Sequence, residues 1–160
     1  MAVKSIALKN FEVLNIVEYM NSEKYWQNHN SNISGKLSWI IRKNRKRLDE
    51  LAKLIAEAEE EINKDFQENG KIIEQVDPET KEPTGQMLVD KPYEEEYITR
   101  KQDLFNQSND VDIEVVPADM LFDYNMKDID WEMMSFMIEE EPDEEVEVTP
   151  GPIPVPDPVN

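Results

Sequence analysis

Carboxylates gathered on one helical stretch are the first chemistry this sequence offers. Glu57, Glu60, Glu61 and Asp65 fall within nine residues of each other. Clustered carboxylates can serve acid–base catalysis or hold a metal ion. A di-metal site in a helix bundle, however, needs glutamates together with Glu-x-x-His pairs projecting inward. The chain has one histidine, His29, in a polar stretch far from that cluster. A solvated acidic face is the better reading of the four carboxylates, and an exposed polar residue the better reading of His29. The four glycines stand alone at 35, 70, 85 and 151, so no Gly-rich phosphate cradle is present. Without cysteine there is no thiol nucleophile, thiolate metal site or disulfide framework, which suits a reducing compartment. The expectation is a protein that is not an enzyme, with no catalytic, cofactor-binding or metal-binding residues.

A second cluster, Arg42, Lys43, Arg45, Lys46 and Arg47 beside Trp39, has the composition of a nucleic-acid stripe. The overall charge argues against that use. The net charge is −19, and it is unevenly spread. Residues 1–101 hold 16 bases against 19 acids, while residues 102–160 hold Lys127 alone against 17 acids. Such a balance disfavours direct nucleic-acid binding and favours a protein partner with a basic surface. The basic cluster is then a solvated face or a counter-charge for the acidic last third.

Both clusters sit on one element. From Ser34 to Phe66, the residues Leu37, Ile41, Asn44, Leu48, Leu51, Ile55, Ala58 and Ile62 recur at alternating steps of four and three. That is the seam of a coiled coil or antiparallel helix pair. A helix of this span is a rod of about 50 Å, against a radius of gyration of about 15 Å for a compact chain of this size. It reads as a spine, and a homo-oligomer through this central helix is open. Asn44 occupies a seam position where an apolar residue packs better. It is either a register- or partner-fixing residue or a solvated one at the edge of the body. The bases in the N-terminal half and Glu57, Glu59, Glu60 and Glu61 in the C-terminal half oppose the helix dipole. The apolar stripe, together with complementary charges on a partner, is expected to offset this.

The rest of the chain supplies shorter elements. Val3–Leu8 is a short strand or an irregular lead, and Asn10 looks like the N-cap of a helix with Phe11, Leu14, Val17 and Met20 on one side, ending near Asn21 or Ser22. Residues 22–32 form a polar connection, with Asn32 or Ser34 available to cap the spine. Asn69-Gly70 closes the spine. Lys71–Val76 and Gln86–Val89 are β-prone runs around a turn-rich loop, the pattern of a hairpin. Pro92 suits the start of a helix to about Asn106, whose Tyr93, Tyr97, Leu104 and Phe105 can pack on the spine. Val111–Val116 reads as a strand stopped by Pro117. Asp128 or Asp130 can cap a last helix containing Trp131, Met133, Met134, Phe136, Met137 and Ile138, apolar nearly all round and better read as buried than as docking. The expected fold is α+β and mainly helical: a long central helix packed by shorter helices, with a small hairpin or short sheet. One domain over residues 1–138 is followed by an acidic, Pro-rich tail, 139–160, whose composition cannot repay its ordering entropy. No segment has the length and apolarity of a membrane span or signal peptide, so a cytoplasmic protein away from membranes is expected.

The order of these features resembles the small uncharacterised proteins encoded by tailed bacteriophages. Leu8-x-Asn10 opens a short helix, and Ile40-x-x-x-Asn44-x-x-x-Leu48-x-Glu50 lies on the long one. Asn69-Gly70, the hairpin, Val111-x-Ile113-x-Val115 and the terminal Trp/Met/Ile helix follow. The Pro-rich tail falls outside that pattern. The resemblance implies a phage origin and a site of action in the host cytoplasm, and it transfers no catalytic residues. Two functional classes stand. One is an interaction module that binds a phage assembly component or a host protein. The other is a mimic of nucleic-acid charge acting on a host defence nuclease or another DNA-binding enzyme. Candidate partner-binding residues are Asp128, Asp130, Trp131, Glu132 and Met134 on the terminal helix, with Asn44 on the spine.

Overall fold

A computed structural model describes residues 2–22, 35–122, 124 and 126–139. In chain order these form β1 (Val3–Lys9), α1 (Asn10–Asn21), α2 (Gly35–Glu68), β2 (Ile72–Val76), β3 (Pro83–Val89) and α3 (Glu94–Asn106). They continue with β4 (Ser108–Glu114), β5 (Val116–Pro117), α4 (Asp128–Met134) and β6 (Ile138–Glu139). Short 3-10 turns lead into α3, follow β5 and follow α4. The α+β, mainly helical architecture built on one long helix is what the residue periods dictate. The polar connection with His29, the caps at Asn32 or Ser34 and the tail from residue 140 lie outside the described residues.

The spine is α2, 34 residues long. Of its seam, Leu37, Ile41, Asn44, Leu48, Ile55 and Ile62 are buried, and Leu51 and Ala58 are half-buried. Two apolar clusters share the rod. The larger gathers β1, α1, the N-terminal half of α2, β4 and the methionines of the α4 region. The smaller holds Ile62, Phe66 and Leu104, flanked by Tyr93 and Tyr97 and by the roots of the hairpin, Ile72 and Val89. The seam is therefore filled from within the chain. The apolar side chains that α2 leaves exposed, Trp39 and Leu54, lie off that seam.

The lead before α1 is a true strand. β1 pairs antiparallel with β4 along its whole length, Lys4 opposite Ile113 and Ile6 opposite Val111. β4 begins three residues before the expected start. After a break at Val115 the chain extends through Pro117, where β5 pairs in parallel with β6. Asn10 is not a cap. It is the first residue of α1 and turns inward: its Nδ2 donates to the Leu104 carbonyl at 2.6 Å, and its Oδ1 accepts from Asn109 Nδ2. It thus stitches the β1–α1 corner to the end of α3, at a helix-end carbonyl that also accepts the Gln107 N–H at 3.3 Å.

The hairpin β2–β3 carries a register irregularity between Glu74 and Val76, with Gly85 at φ +80° beside it. Pro83 is tolerated because it is the first residue of its strand. The terminal helix is shorter than its composition suggests, since Ile138 leaves it for β6.

The charges set against the dipole of α2 find their complements on neighbouring elements. Lys43 pairs with Glu114 at 2.6 Å and Arg47 donates to the Asp112 carbonyl, both on β4, while Arg45 meets Asp49 within α2 itself. At the other end, Lys101 and Arg100 of α3 pair with Glu59 and Asp65. Exposed pairs of this kind contribute about 0–1 kcal/mol each. They serve alignment more than stability.

Candidate protein-docking site

The candidate surface is made where the chain enters α4. Leu121 is fully buried and anchors the 3-10 turn after β5. The next residue, Phe122, is thrown outward and is 67% exposed, the most exposed large apolar side chain among the described residues. Its ring lies against Trp131, centroids 5.8 Å apart and tilted at 56°. Trp131 is half-buried, with its other contacts on the larger core. Ile129 adds a further apolar side chain, 37% exposed.

Two anchors fix which face α4 turns outward. Asp130 is buried and accepts from the Tyr19 hydroxyl on α1, and it also accepts the Lys127 N–H at 2.9 Å. The carboxylate therefore closes the first turn of α4 from within and ties the helix to α1. Met134, followed by Met137 one turn on, is wholly buried in the core. With those residues inward, Asp128, Glu132 and Ser135 lie on the opposite stripe, exposed. Asp119 is exposed on the preceding turn. No ion pair among the described residues engages Asp119, Asp128 or Glu132. The result is an aromatic pair bordered by uncompensated carboxylates.

Burial of Tyr19, and then its hydrogen bond to Asp130 and the charge of that group, push the tyrosine hydroxyl far above its ordinary range. Tyr19 stays the proton donor of the pair at every physiological pH, which keeps the anchor of α4 constant.

Of the six residues singled out from the sequence, the fold exposes Asp128 and Glu132 and leaves Trp131 half-exposed. Asp130, Met134 and Asn44 require correction. All three are buried, and their contacts are internal. Asn44 donates to the Glu114 carbonyl at 2.8 Å and accepts the Glu114 N–H at 2.9 Å. It binds the outer edge of β4 as a neighbouring strand would. It is neither solvated nor turned to a partner: its polar groups are spent on this chain's own strand. Phe122, the most exposed member of the site, was missed. Its signal is a bulky aromatic between Asp119 and Asp123, outside any periodic element that would bury it.

Glu57, Glu60 and Glu61 are exposed on α2. Among the described residues no three histidine or carboxylate side chains converge to hold a metal ion, and no helix is long and apolar enough to cross a membrane. Comparison of the chain with protein-family models, with curated proteins and with solved structures finds no match.

Proposed function

We propose that this protein is a non-enzymatic interaction module whose α4 face docks on a protein with a basic surface. The observation that carries the reading is Phe122, exposed and tilted against Trp131, beside carboxylates that form no ion pair among the described residues. Aromatic side chains at the centre of a contact supply most of its free energy, and the charged rim supplies encounter rate and partner choice. In line with the phage resemblance, the partner is a phage assembly component or a host protein, met in the host cytoplasm. The charge-mimic alternative needs a long uninterrupted array of carboxylates. Lys53 and Lys64 break the acidic face of α2, which weighs against it.

The test is capture of the partner followed by titration against salt. Phe122→Ala and Trp131→Ala are each expected to weaken binding at least tenfold, about 1.4 kcal/mol. Asp128→Lys/Glu132→Lys should lower the association rate and flatten the salt dependence. Binding that ignored salt and all of these changes would overturn the reading. Competition by free DNA would favour the mimic.

A further inference from the structure

The two-stranded sheet β1–β4 has one closed edge and one open edge. On β4, Asp112 and Glu114 direct backbone groups away from β1, and α2 meets them. Arg47 takes the Asp112 carbonyl, and Asn44 takes both groups of Glu114. Residues of an antiparallel strand alternate between the two edges. Since Asp112 and Glu114 face α2, the ladder to β1 runs through Val111 and Ile113, which stand opposite Ile6 and Lys4. It follows that Val3, Ser5 and Ala7 turn their N–H and C=O groups to the other edge. All three residues are exposed, and no described element pairs with that edge.

A groove of about 420 Å³ runs along it, from Lys4 past Ile6 to Glu12, with Phe136 and Ile138 on its far wall. Unpaired backbone groups beside an apolar wall are what an added strand requires. The groove also carries opposite charges at its two ends, Lys4 and Glu12.

We infer that this edge pairs with β1 of a second copy of the chain, antiparallel about a two-fold axis at Ile6. That register joins Ser5 to Ala7 of the other copy and Ala7 to Ser5, so the outward backbone groups of these residues are satisfied in both chains, while the outward N–H of Lys9 already meets Glu12 Oε1 at 3.4 Å. Ile6 meets its own counterpart on the axis. Lys4 falls opposite Leu8 of the second copy, and Lys9 opposite Val3, so no like charges face each other across the new ladder. Leu8 and Glu12 line the same end of the groove. The two-fold therefore brings each Lys4 to the end that holds the other chain's Glu12, a self-complementary arrangement of the kind an isologous dimer needs. The inference goes beyond the docking face on α4 and does not depend on it.

The experiment is solution mass of the full chain over a concentration series up to roughly 100 µM, suited to an interface at the small end of the specific range. A concentration-dependent doubling of mass is expected. Ala7→Pro removes a donor that faces the open edge while sparing the ladder to β4, and should leave a folded monomer. Lys4→Glu places like charges at both ends of the groove and should also give a monomer, with dimer restored in Lys4→Glu/Glu12→Lys. If Ala7→Pro fails to fold, this charge exchange decides alone. A wild-type chain that stays monomeric throughout overturns the inference, as does a dimer indifferent to Lys4→Glu. A dimer that forms only after removal of residues 140–160 also overturns it, assigning the edge to the chain's own C-terminal segment.

Discussion

Asn44 and Asp130 are both buried polar residues that hold one element to another, and both can be tested singly. Replacing Asn44 with Leu fills the seam but strands the N–H and C=O of Glu114, each unsatisfied group costing about 1–3 kcal/mol. We expect a loss of about 2–4 kcal/mol, seen as a lower urea midpoint at unchanged slope, whereas Arg42→Ala on the exposed side should stay within about 0.5 kcal/mol. Tyr19 gives a pH-dependent counterpart. An unfolded tyrosine ionises near pH 10, and in the folded protein Tyr19 keeps its proton beyond that. Above about pH 10 the unfolded state has lost a proton that the native state retains, so stability falls as pH rises, having been constant below. Tyr19→Phe should lower the melting temperature at neutral pH and flatten its alkaline decline. That Asn44 makes a specific polar contact was one of two readings open to a polar residue in an apolar seam. That it does so against a strand edge was not legible, because sequence spacing along a helix says nothing of what lies opposite.

At the scale of elements, the hairpin and the end of the spine form a dependent unit. The hairpin strands are almost wholly exposed, and an isolated two-stranded hairpin is marginal in water. Its support is the small cluster around Phe66, which is fully buried and meets the Tyr97 ring edge-on at 5.2 Å. Phe66→Ala should cost about 3–5 kcal/mol of local stability. Amide exchange should then accelerate first across Ile72–Val89 while β1, β4 and the first half of α2 stay protected. Uniform loss of protection along all of α2 would mean that the two clusters unfold as one. The helix, the hairpin and α3 were legible because their signals are local: period, turn residues, a Pro at a helix start. The start of β4 at Ser108 and the β5–β6 pair were not. Those strands exist through distant pairing, and nothing in Ser108-Asn109-Asp110 favours extension by itself.

On the scale of the whole molecule, charge and chain order decide behaviour. The acidic excess beyond residue 101 and the basic stretch of α2 meet at Lys43 and Glu114, so part of the asymmetry is absorbed inside the fold. Of the exposed remainder among the described residues, Asp119 lies within one turn of Phe122 and Asp128 within one turn of Trp131. Removing β1 by starting the chain at Asn10 should abolish cooperative unfolding, because Leu8 is buried in the larger core and β4 loses its partner strand. A sharp transition near the wild-type temperature would show that β1 is an accessory. The pairing of β1 with β4 also bears on how the protein is made. Ile6 and Val111 are registered neighbours, yet β1 is synthesised first and its mate more than a hundred residues later. At translation rates of about 5–20 residues per second, the strand waits on the order of 5–20 s with both edges unsatisfied. During that interval a nascent chain on a neighbouring ribosome carries the same strand, equally unpaired. The timing of synthesis, rather than native stability, then sets how much of the product is lost to premature strand exchange, and slowing translation after Asn106 should worsen the soluble yield.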